Sequence, residues 1–206
     1  MPRYFGADAR RSDASSVSTH TAAQFIEEVR GQNPAMAGAV IALSAAQAAA
    51  LGQACMQISL DELDVDGEGN PEQIERMAQI KSALLRWSER DADAIAKFVA
   101  LREAGETLAG QQLLCSAPAD VSRMSIEAAD ILQNFRPFVN ERVYDDLEMS
   151  ISLLSGTAQA ALLLLDSNLR IWPDEPLLAE FEPVVEELAA GIAGLSPAKR
   201  IREEPI

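Results

Sequence analysis

Apolar residues recur along most of the chain at the three- and four-residue spacing that places them on one face of an α-helix. In the longest such segment they fall at positions 74, 77, 80 and 84. No run of β-branched or aromatic residues alternates with polar ones, as a half-buried strand would require. The pattern therefore predicts an all-α protein, a single-domain helical bundle of six or seven helices with a long Ala-rich central helix.

Capping and breaking residues set the boundaries of these helices. Thr21 can cap the first helix and Gly31 can end it, while Pro71 suits the first turn of the longest helix. The predicted helices cover 22–31, 35–59, 71–103, 107–115, 116–133 (opened by Ser116, Ala117 and Pro118), a segment from Pro137 or Asp145 to Leu169, and 175–194.

Two long segments carry no charge, one between Arg30 and Asp61 and one from Met149 to Leu165. The first is rich in alanine, so neighbouring helices can approach it closely. Both are long enough to cross a bilayer. Their glutamines and serines favour buried helices of a water-soluble protein instead. Because one small bundle does not readily bury two such helices, we expect a homodimer or a higher oligomer.

Composition narrows the classes of partner. The 206 residues are 48% hydrophobic, which is enough for a core, and the formal net charge is −15. Such acidity argues against binding to nucleic acid and to anionic membranes. The first 20 residues lack the apolar core of a signal peptide, so we interpret them as a flexible tail of a cytoplasmic protein. Residues 21–195 form the predicted domain, and 196–206 a polar tail.

Few residues are suited to metal or nucleophilic chemistry. Cys55 and Cys115 are isolated in apolar helical contexts, so we expect reduced core thiols. The only histidine, His20, falls in the predicted tail and is interpreted as a bystander. The acidic segment 62–67 resembles a calcium loop only in part, since Gln73 stands where that loop needs a bidentate Glu. A solvated loop is the favoured interpretation, and no metal site is predicted.

Several polar residues have both an ordinary and a functional interpretation. Asp145 and Asp146 open a charge-free helix, where carboxylates commonly cap the helix or interact with its dipole. Either could instead serve as an acid–base group at the mouth of an apolar cleft. Asp91 and Asp93 are typical of a polar helix face. The segment 33–38 is an ordinary helix break or, alternatively, a backbone site for an anion.

The order of the helices and breaks along the chain is a further source of information. A first helix of the form F-x-x-E is followed by an Asn33-Pro34 break, an Ala-rich helix ending near Ser59, and a long charged helix containing Asp91-Ala92-Asp93-Ala94-Ile95. A later helix runs from Tyr144 to the pair Asn168-Leu169. This order resembles the cyclodeaminase/cyclohydrolase family of one-carbon metabolism, which includes the cyclodeaminase part of formiminotransferase-cyclodeaminase and the methenyltetrahydrofolate cyclohydrolases.

The resemblance implies a tetrahydrofolate derivative as substrate, with no redox cofactor or metal required because the oxidation state does not change. Asp146 stands at the position of the family aspartate and is the implied catalytic residue. The implied ligand-binding residues occupy positions of the family's P-T-P-G-G-G-S loop, of its D-A-x-A-F motif and of its closing N-L-like pair: Asn33, Pro34, Gly38, Asp91 and Asn168.

The chain departs from the family pattern at three places. One proline and one glycine remain in the segment 34–39, an acidic stretch replaces the family's basic stretch after the second helix, and Leu147-Glu148 replaces Ala-Gly after the aspartate. Two hypotheses therefore stay open. The chain is either an enzyme that interconverts formimino- or methenyl-tetrahydrofolate, or a catalytically degenerate helical dimer that acts as a scaffold or binding module.

Overall fold

The computed structural model describes residues 20–31, 36–62 and 71–203. This part of the chain forms six α-helices and no strand. The helices are α1 (Ala22–Gly31), α2 (Ala37–Glu62), α3 (Pro71–Glu103), α4 (Thr107–Phe135), α5 (Tyr144–Ile171) and α6 (Glu175–Gly194). The all-α prediction is confirmed. The helix predicted from Pro71 to Glu103 has those boundaries in the structure.

Helices α2 to α5 pack as an antiparallel four-helix bundle, and α6 packs along α4 and α5. Antiparallel packing of α2 and α5 follows from two hydrogen bonds. The Ser150 hydroxyl donates to the carbonyl of Ala48, and the backbone N–H of Asn140 donates to the Ser59 hydroxyl. The far end of α2 therefore lies beside the start of α5.

The buried side of α2 consists mainly of alanine, as the charge-free segment predicted. Ala42, Ala45, Ala48 and Ala49 are at most 1% exposed. These small side chains allow larger ones from α3, α4 and α5 to fill the core, including Met77, Leu84, Leu132, Leu147, Ile151 and Leu154. Gly52 marks the closest approach, because a Cβ there would lie 2.5 Å from the Leu132 side chain.

The predicted break between helices at 115 and 116 is wrong. Helix α4 runs without interruption through Pro118. A proline inside a helix removes a backbone donor and leaves the carbonyl four residues earlier without its helical partner. Here that carbonyl belongs to Leu114, and the side-chain amide of Asn168 donates to it at 2.9 Å. A contact from α5 thus compensates for the proline.

Other helix ends follow their local sequence. Thr21 and Gln24 form a reciprocal capping box at the start of α1, with hydrogen bonds of 2.8 and 3.3 Å. Gly105 ends the α3 segment with a φ of +83°, a conformation that glycine adopts without a Cβ penalty. Of the two starts considered for the helix before Leu169, the structure favours the later one, since α5 begins at Tyr144 after two short 3₁₀ turns.

The beginning of the predicted C-terminal tail is attached to the bundle. Leu195 is only 9% exposed and belongs to the hydrophobic core that α2, α3, α4 and α5 enclose. The backbone N–H of Ser196 donates to the Gln133 side chain, and its carbonyl accepts from Arg136 at 2.7 Å. These contacts hold the segment after α6 against the junction of α4 and α5.

Two segments, Ala37–Asp61 and Glu141–Ile171, are long and apolar enough to cross a membrane by length and composition. Within the bundle, 50% of the most apolar stretch of the first segment and 44% of that of the second are buried. Core helices of a helical bundle have the same character, so this feature alone is weak evidence for a membrane span.

Candidate functional site

The outer sides of α2 and α5 form an uncharged surface, which we call the open face. Large apolar side chains project from it, with Met149 50%, Leu153 55% and Leu163 59% exposed. Smaller residues lie between them at helical spacing, including Ala50 and Ala54 on α2 and Gly156 on α5. Because α2 and α5 pack side by side, we assign these exposed residues to one surface.

Asp146 lies at one end of the open face, in the first turn of α5. Its side chain is exposed, as expected for a carboxylate that interacts with a helix dipole. It also lies close enough to Cys55 of α2 to affect that buried thiol. Burial, together with the negative charge of Asp146, raises the pKa of Cys55 to about 11. Asp146 is therefore a carboxylate beside a neutral thiol, at the edge of an uncharged surface.

The predicted ligand loop lies at the other end of α2. Asn33 and Pro34 are outside the described residues, whereas Gly38 is half-buried in the first turn of α2. Gly38 and Cys55 are seventeen residues apart, about 26 Å at the helical rise of 1.5 Å per residue. A single chain therefore does not bring Asp146 and Gly38 together.

The remaining predicted ligand residues are also separated. Asp91 lies on α3, and its side chain is outside the described part of the structure. Asn168 is half-buried near the end of α5, where its amide is bonded to Leu114. The structure thus gives Asn168 a structural partner and does not place it beside Asp146, which is 22 residues earlier on the same helix.

A cleft of about 570 Å³ lies between α1 and the first half of α2. Its lining is mostly apolar and includes Phe25, Ile26, Val29, Val40, Leu43 and Leu85. Thr21, Ser44 and Gln47 add hydroxyl or amide groups, and His20 adds an imidazole. The sequence interpretation missed this cleft. The sequence features that could have indicated the cleft are the amphipathic spacing in α1 and the three-residue spacing of Ser44 and Gln47.

His20, interpreted from the sequence as a bystander in the tail, packs against α1 in the structure. Its side chain is 17% exposed, and Nδ1 lies 3.1 Å from a carboxylate oxygen of Glu28. His20 therefore lies against α1. This position makes His20 part of the cleft wall, where its imidazole is the titratable group among the described lining residues.

The described residues contain no group of three or more His, Cys, Asp or Glu side chains that could hold a metal ion. Cys115 is completely buried, and burial followed by the charge of Glu180 raises its pKa to about 12. Both cysteines are free thiols, as predicted. At neutral pH neither is a thiolate, the form that metal binding and nucleophilic attack require.

Comparisons with known proteins support the resemblance found in the sequence. The family model described as formiminotransferase-cyclodeaminase matches residues 21–187. Among solved structures, formiminotetrahydrofolate cyclodeaminase from Thermotoga maritima has a TM-score of 0.75 at 23% identity, covering 86% of this chain and 92% of that one. At this identity the structural likeness shows the fold alone, and a comparison with curated proteins finds no match. Because the family model spans most of the sequence, the chain belongs to the formiminotransferase-cyclodeaminase family.

Proposed function

We propose that this protein acts on one-carbon derivatives of tetrahydrofolate, closing or opening the bridge of formimino- or methenyl-tetrahydrofolate. The observation that carries the proposal is the position of Asp146. It is an exposed carboxylate at the edge of an uncharged surface, at the position that the sequence resemblance assigns to the family aspartate. A carboxylate in such a place is accessible to a substrate and has apolar surroundings on one side.

The reaction would need little beyond proton transfer and charge stabilisation. In ring closure, a folate nitrogen attacks the formimino carbon, the bond from that carbon to the imino nitrogen breaks, and ammonia leaves. In ring opening, water adds to the cationic methenyl carbon and loses a proton, and the bond from that carbon to one of the two folate nitrogens then breaks to leave a formyl group on the other. Asp146 would accept or return a proton, or stabilise the cation. No electrons are gained or lost, so the proposal includes no redox cofactor, and it assigns no step to a metal.

We further propose that the site is shared between two copies of the chain. Within one chain, Asp146 and Gly38 lie near opposite ends of α2. A two-fold axis through the middle of the open face would place each Asp146 near the start of the partner's α2, where Asn33 and Pro34 precede the helix. The exposed leucines support such an interface, whereas Ser152 and Gln159 on the same surface fit a protein partner better than lipid.

The main alternative is a diverged member that keeps the helical dimer and has lost folate chemistry. Two sequence departures favour it. The entrance to α2 keeps only one glycine between positions 34 and 39, which limits close backbone approach to a ligand. The acidic residues from Asp61 onward would also repel the carboxylates of a folate tail. Such a protein would be a scaffold or would bind a different small molecule.

Calorimetric titration with formimino- and methenyl-tetrahydrofolate separates these functions. The enzyme hypothesis expects saturable heat and turnover, with turnover lost in Asp146→Asn while ligand binding is largely retained. Asp145→Asn is the matched control, since it removes the neighbouring exposed carboxylate and should leave turnover unchanged. Absence of both heat and thermal shift at millimolar ligand would rule out folate chemistry and leave the scaffold alternative.

The shared site is tested by oligomeric state. Light scattering should give at least twice the 22.2 kDa of one chain. Leu153→Glu and Leu163→Glu should each yield monomers, because a charge is placed in the interface. Leu108→Glu is the control, since Leu108 is 39% exposed at the start of α4, away from the open face. A monomeric wild-type chain that still turns over folate would exclude a shared site.

A further inference from the structure

The cleft beneath α1 has the dimensions of a small-molecule site, yet the proposed folate chemistry makes no use of it. Its volume of about 570 Å³ is within the range of ligand pockets. Within one chain it is separate from Asp146. Gln47, the lining residue farthest along α2, is eight residues before Cys55, or about 12 Å by helical rise.

The lining suits an uncharged molecule with a flat apolar body. Phe25 supplies an aromatic ring from α1, and Val40 and Leu43 supply aliphatic side chains from α2. Among the lining residues that the structure describes there is no Lys or Arg, and the imidazole of His20 already lies 3.1 Å from a carboxylate oxygen of Glu28, so an anionic group would find no uncompensated positive charge there. The net charge of −15 adds a general repulsion of anions.

Two polar side chains give the cleft a means of orienting a ligand. Ser44 and Gln47 are three residues apart on α2, so they project from the same side of the helix. A hydroxyl and an amide offer both donors and acceptors without charge. They lie next to apolar walls, as in pockets where a few polar groups fix the orientation of a mostly apolar ligand.

Helix α1 forms one wall of this cleft and is only lightly attached. Phe25 is its buried residue, whereas Ile26 is 63% exposed although it lines the cleft. A short helix with so little buried apolar surface opens locally at low free-energy cost. It can therefore move to admit a ligand and can gain buried area when a ligand contacts Phe25, Ile26 and Val29.

We propose that the cleft between α1 and α2 is a binding site for a neutral, flat, largely apolar small molecule, held between Phe25 and the Val40–Leu43 side of α2 and hydrogen-bonded by Ser44 or Gln47. Folates carry carboxylates and belong to a different chemical class. Val40 is two residues after Gly38, so the cleft adjoins the start of α2 that the proposed folate site uses, but binding of a neutral probe and turnover of folate are measured separately and either can fail without the other.

Two fluorescent probes with the same naphthylamine skeleton test the charge requirement. N-phenyl-1-naphthylamine is neutral, and 8-anilino-1-naphthalenesulfonate carries a sulfonate. The neutral probe should bind with one site per chain and at least about tenfold more tightly than the anionic one, since the described lining has no Lys or Arg and its His20 imidazole already lies beside the Glu28 carboxylate. Equal affinity for the two probes, or no saturable binding of the neutral one, would overturn the proposal.

Matched variants locate the binding. Leu43→Trp should fill the cleft from α2 and weaken neutral-probe binding at least about tenfold, whereas Leu108→Trp makes the same change elsewhere and should have no effect. Val29→Trp fills the cleft from the α1 side and serves as a second test if Leu43→Trp misfolds, which circular dichroism will reveal. Unchanged binding in a folded cleft-filling variant would place the probe elsewhere and refute the site.

Amide hydrogen exchange gives a readout that needs no substitution. Because the ligand would contact α1, the neutral probe should slow exchange in Ala22–Gly31. Protection of the open face of α5 without protection of α1 would mean that the probe binds the exposed leucines, which would also contradict the proposal.

Discussion

The side-chain amide of Asn168 donates a hydrogen bond to the carbonyl of Leu114, the carbonyl that Pro118 leaves without its usual helical donor. The contact joins α5 to α4 over 54 residues of sequence. It explains how α4 continues through a proline. It also gives a structural role to an asparagine that the family resemblance suggested as a ligand-binding residue.

The hydrogen bond from Asn168 to the Leu114 carbonyl predicts that substitutions at Asn168 and Pro118 have non-additive effects on the free energy of unfolding. Asn168→Leu should lower the free energy of unfolding by about 1–3 kcal/mol, because the Leu114 carbonyl loses its partner inside the bundle. The loss should shrink in a Pro118→Ala background, where the new backbone N–H can reach the same carbonyl. Urea unfolding of the four-member cycle measures the coupling.

Asn134→Leu is the control for this cycle, since Asn134 is exposed on α4 and the same substitution there should change stability little. Equal losses for Asn168→Leu with and without Pro118 would contradict the explanation.

The sequence predicted features that depend on nearby residues. The cap at Thr21 and the start of α3 at Pro71 are both local, and each is present. The continuous α4 was missed because the partner that compensates for Pro118 comes from a distant helix. The separation of Asp146 from Gly38 was also hidden, since it depends on the antiparallel packing of α2 and α5.

Arg136 and Glu148 show a second long-range effect at a place where the chain departs from its family. Arg136 donates from Nε and Nη2 to the Glu148 carboxylate at 2.5 and 2.8 Å, and that side chain is 1% exposed. The guanidinium also reaches the carbonyl of Ser196. Glu148, at a position where the family pattern that the sequence resembles has a small residue, thus helps to link the α4–α5 junction to the C-terminal segment through Arg136.

Removing only one member of this pair should be costly. Arg136→Met should reduce the free energy of unfolding by about 3–5 kcal/mol, because it leaves a buried carboxylate without a countercharge. The double variant Arg136→Met/Glu148→Leu should recover much of the loss. Arg76→Met is the control, because the Arg76–Glu127 pair is solvent-exposed and should contribute at most about 1 kcal/mol. Chemical denaturation of the four proteins measures these differences, and a small effect of Arg136→Met alone would exclude a structural role for the pair.

Two glycines on neighbouring helices should respond to alanine in opposite ways. Gly52→Ala should destabilise the fold by about 1–3 kcal/mol, because its Cβ would meet Leu132 and Ser150 at 2.5 and 2.8 Å. Gly156→Ala should stabilise an isolated chain by about 0.5–1 kcal/mol, since nothing lies within 4 Å and alanine favours the helix. Thermal unfolding compares them. Destabilisation by Gly156→Ala in a dimer, but not in a Leu153→Glu monomer, would place Gly156 in the interface.

Asp120 and Glu187, two carboxylates beside Arg123, should have opposite effects on the pH dependence of stability. Burial raises the pKa of Asp120 from 3.8, and Arg123 only partly opposes the shift. The stability linked to Asp120 is therefore complete below its unfolded pKa and is lost as pH rises through its folded pKa. Asp120→Asn should raise the urea midpoint at neutral pH and not at strongly acidic pH.

Glu187 has the reverse sign. The hydrogen bond from Arg123 lowers the pKa of Glu187, so its contribution is present above the unfolded pKa and disappears as pH falls through the folded one. Glu187→Gln should lower the urea midpoint at neutral pH by a small amount, because the pair is exposed. Shifts of the same sign in both variants would contradict these assignments.

The proximity of Asp146 to Cys55 can be tested without any substrate. Burial and then the charge of Asp146 raise the Cys55 pKa to about 11, so Asp146→Asn should lower that pKa by removing the repulsion of the thiolate. The S–H Raman band, followed with pH in a Cys115→Ser background, reports ionisation of Cys55 alone, while circular dichroism checks that the fold persists. Asp145→Asn is the matched control and should leave the titration unchanged. If both variants titrate like the parent, Asp146 does not face α2, and its place at the edge of the open face, on which the proposed folate site depends, is lost.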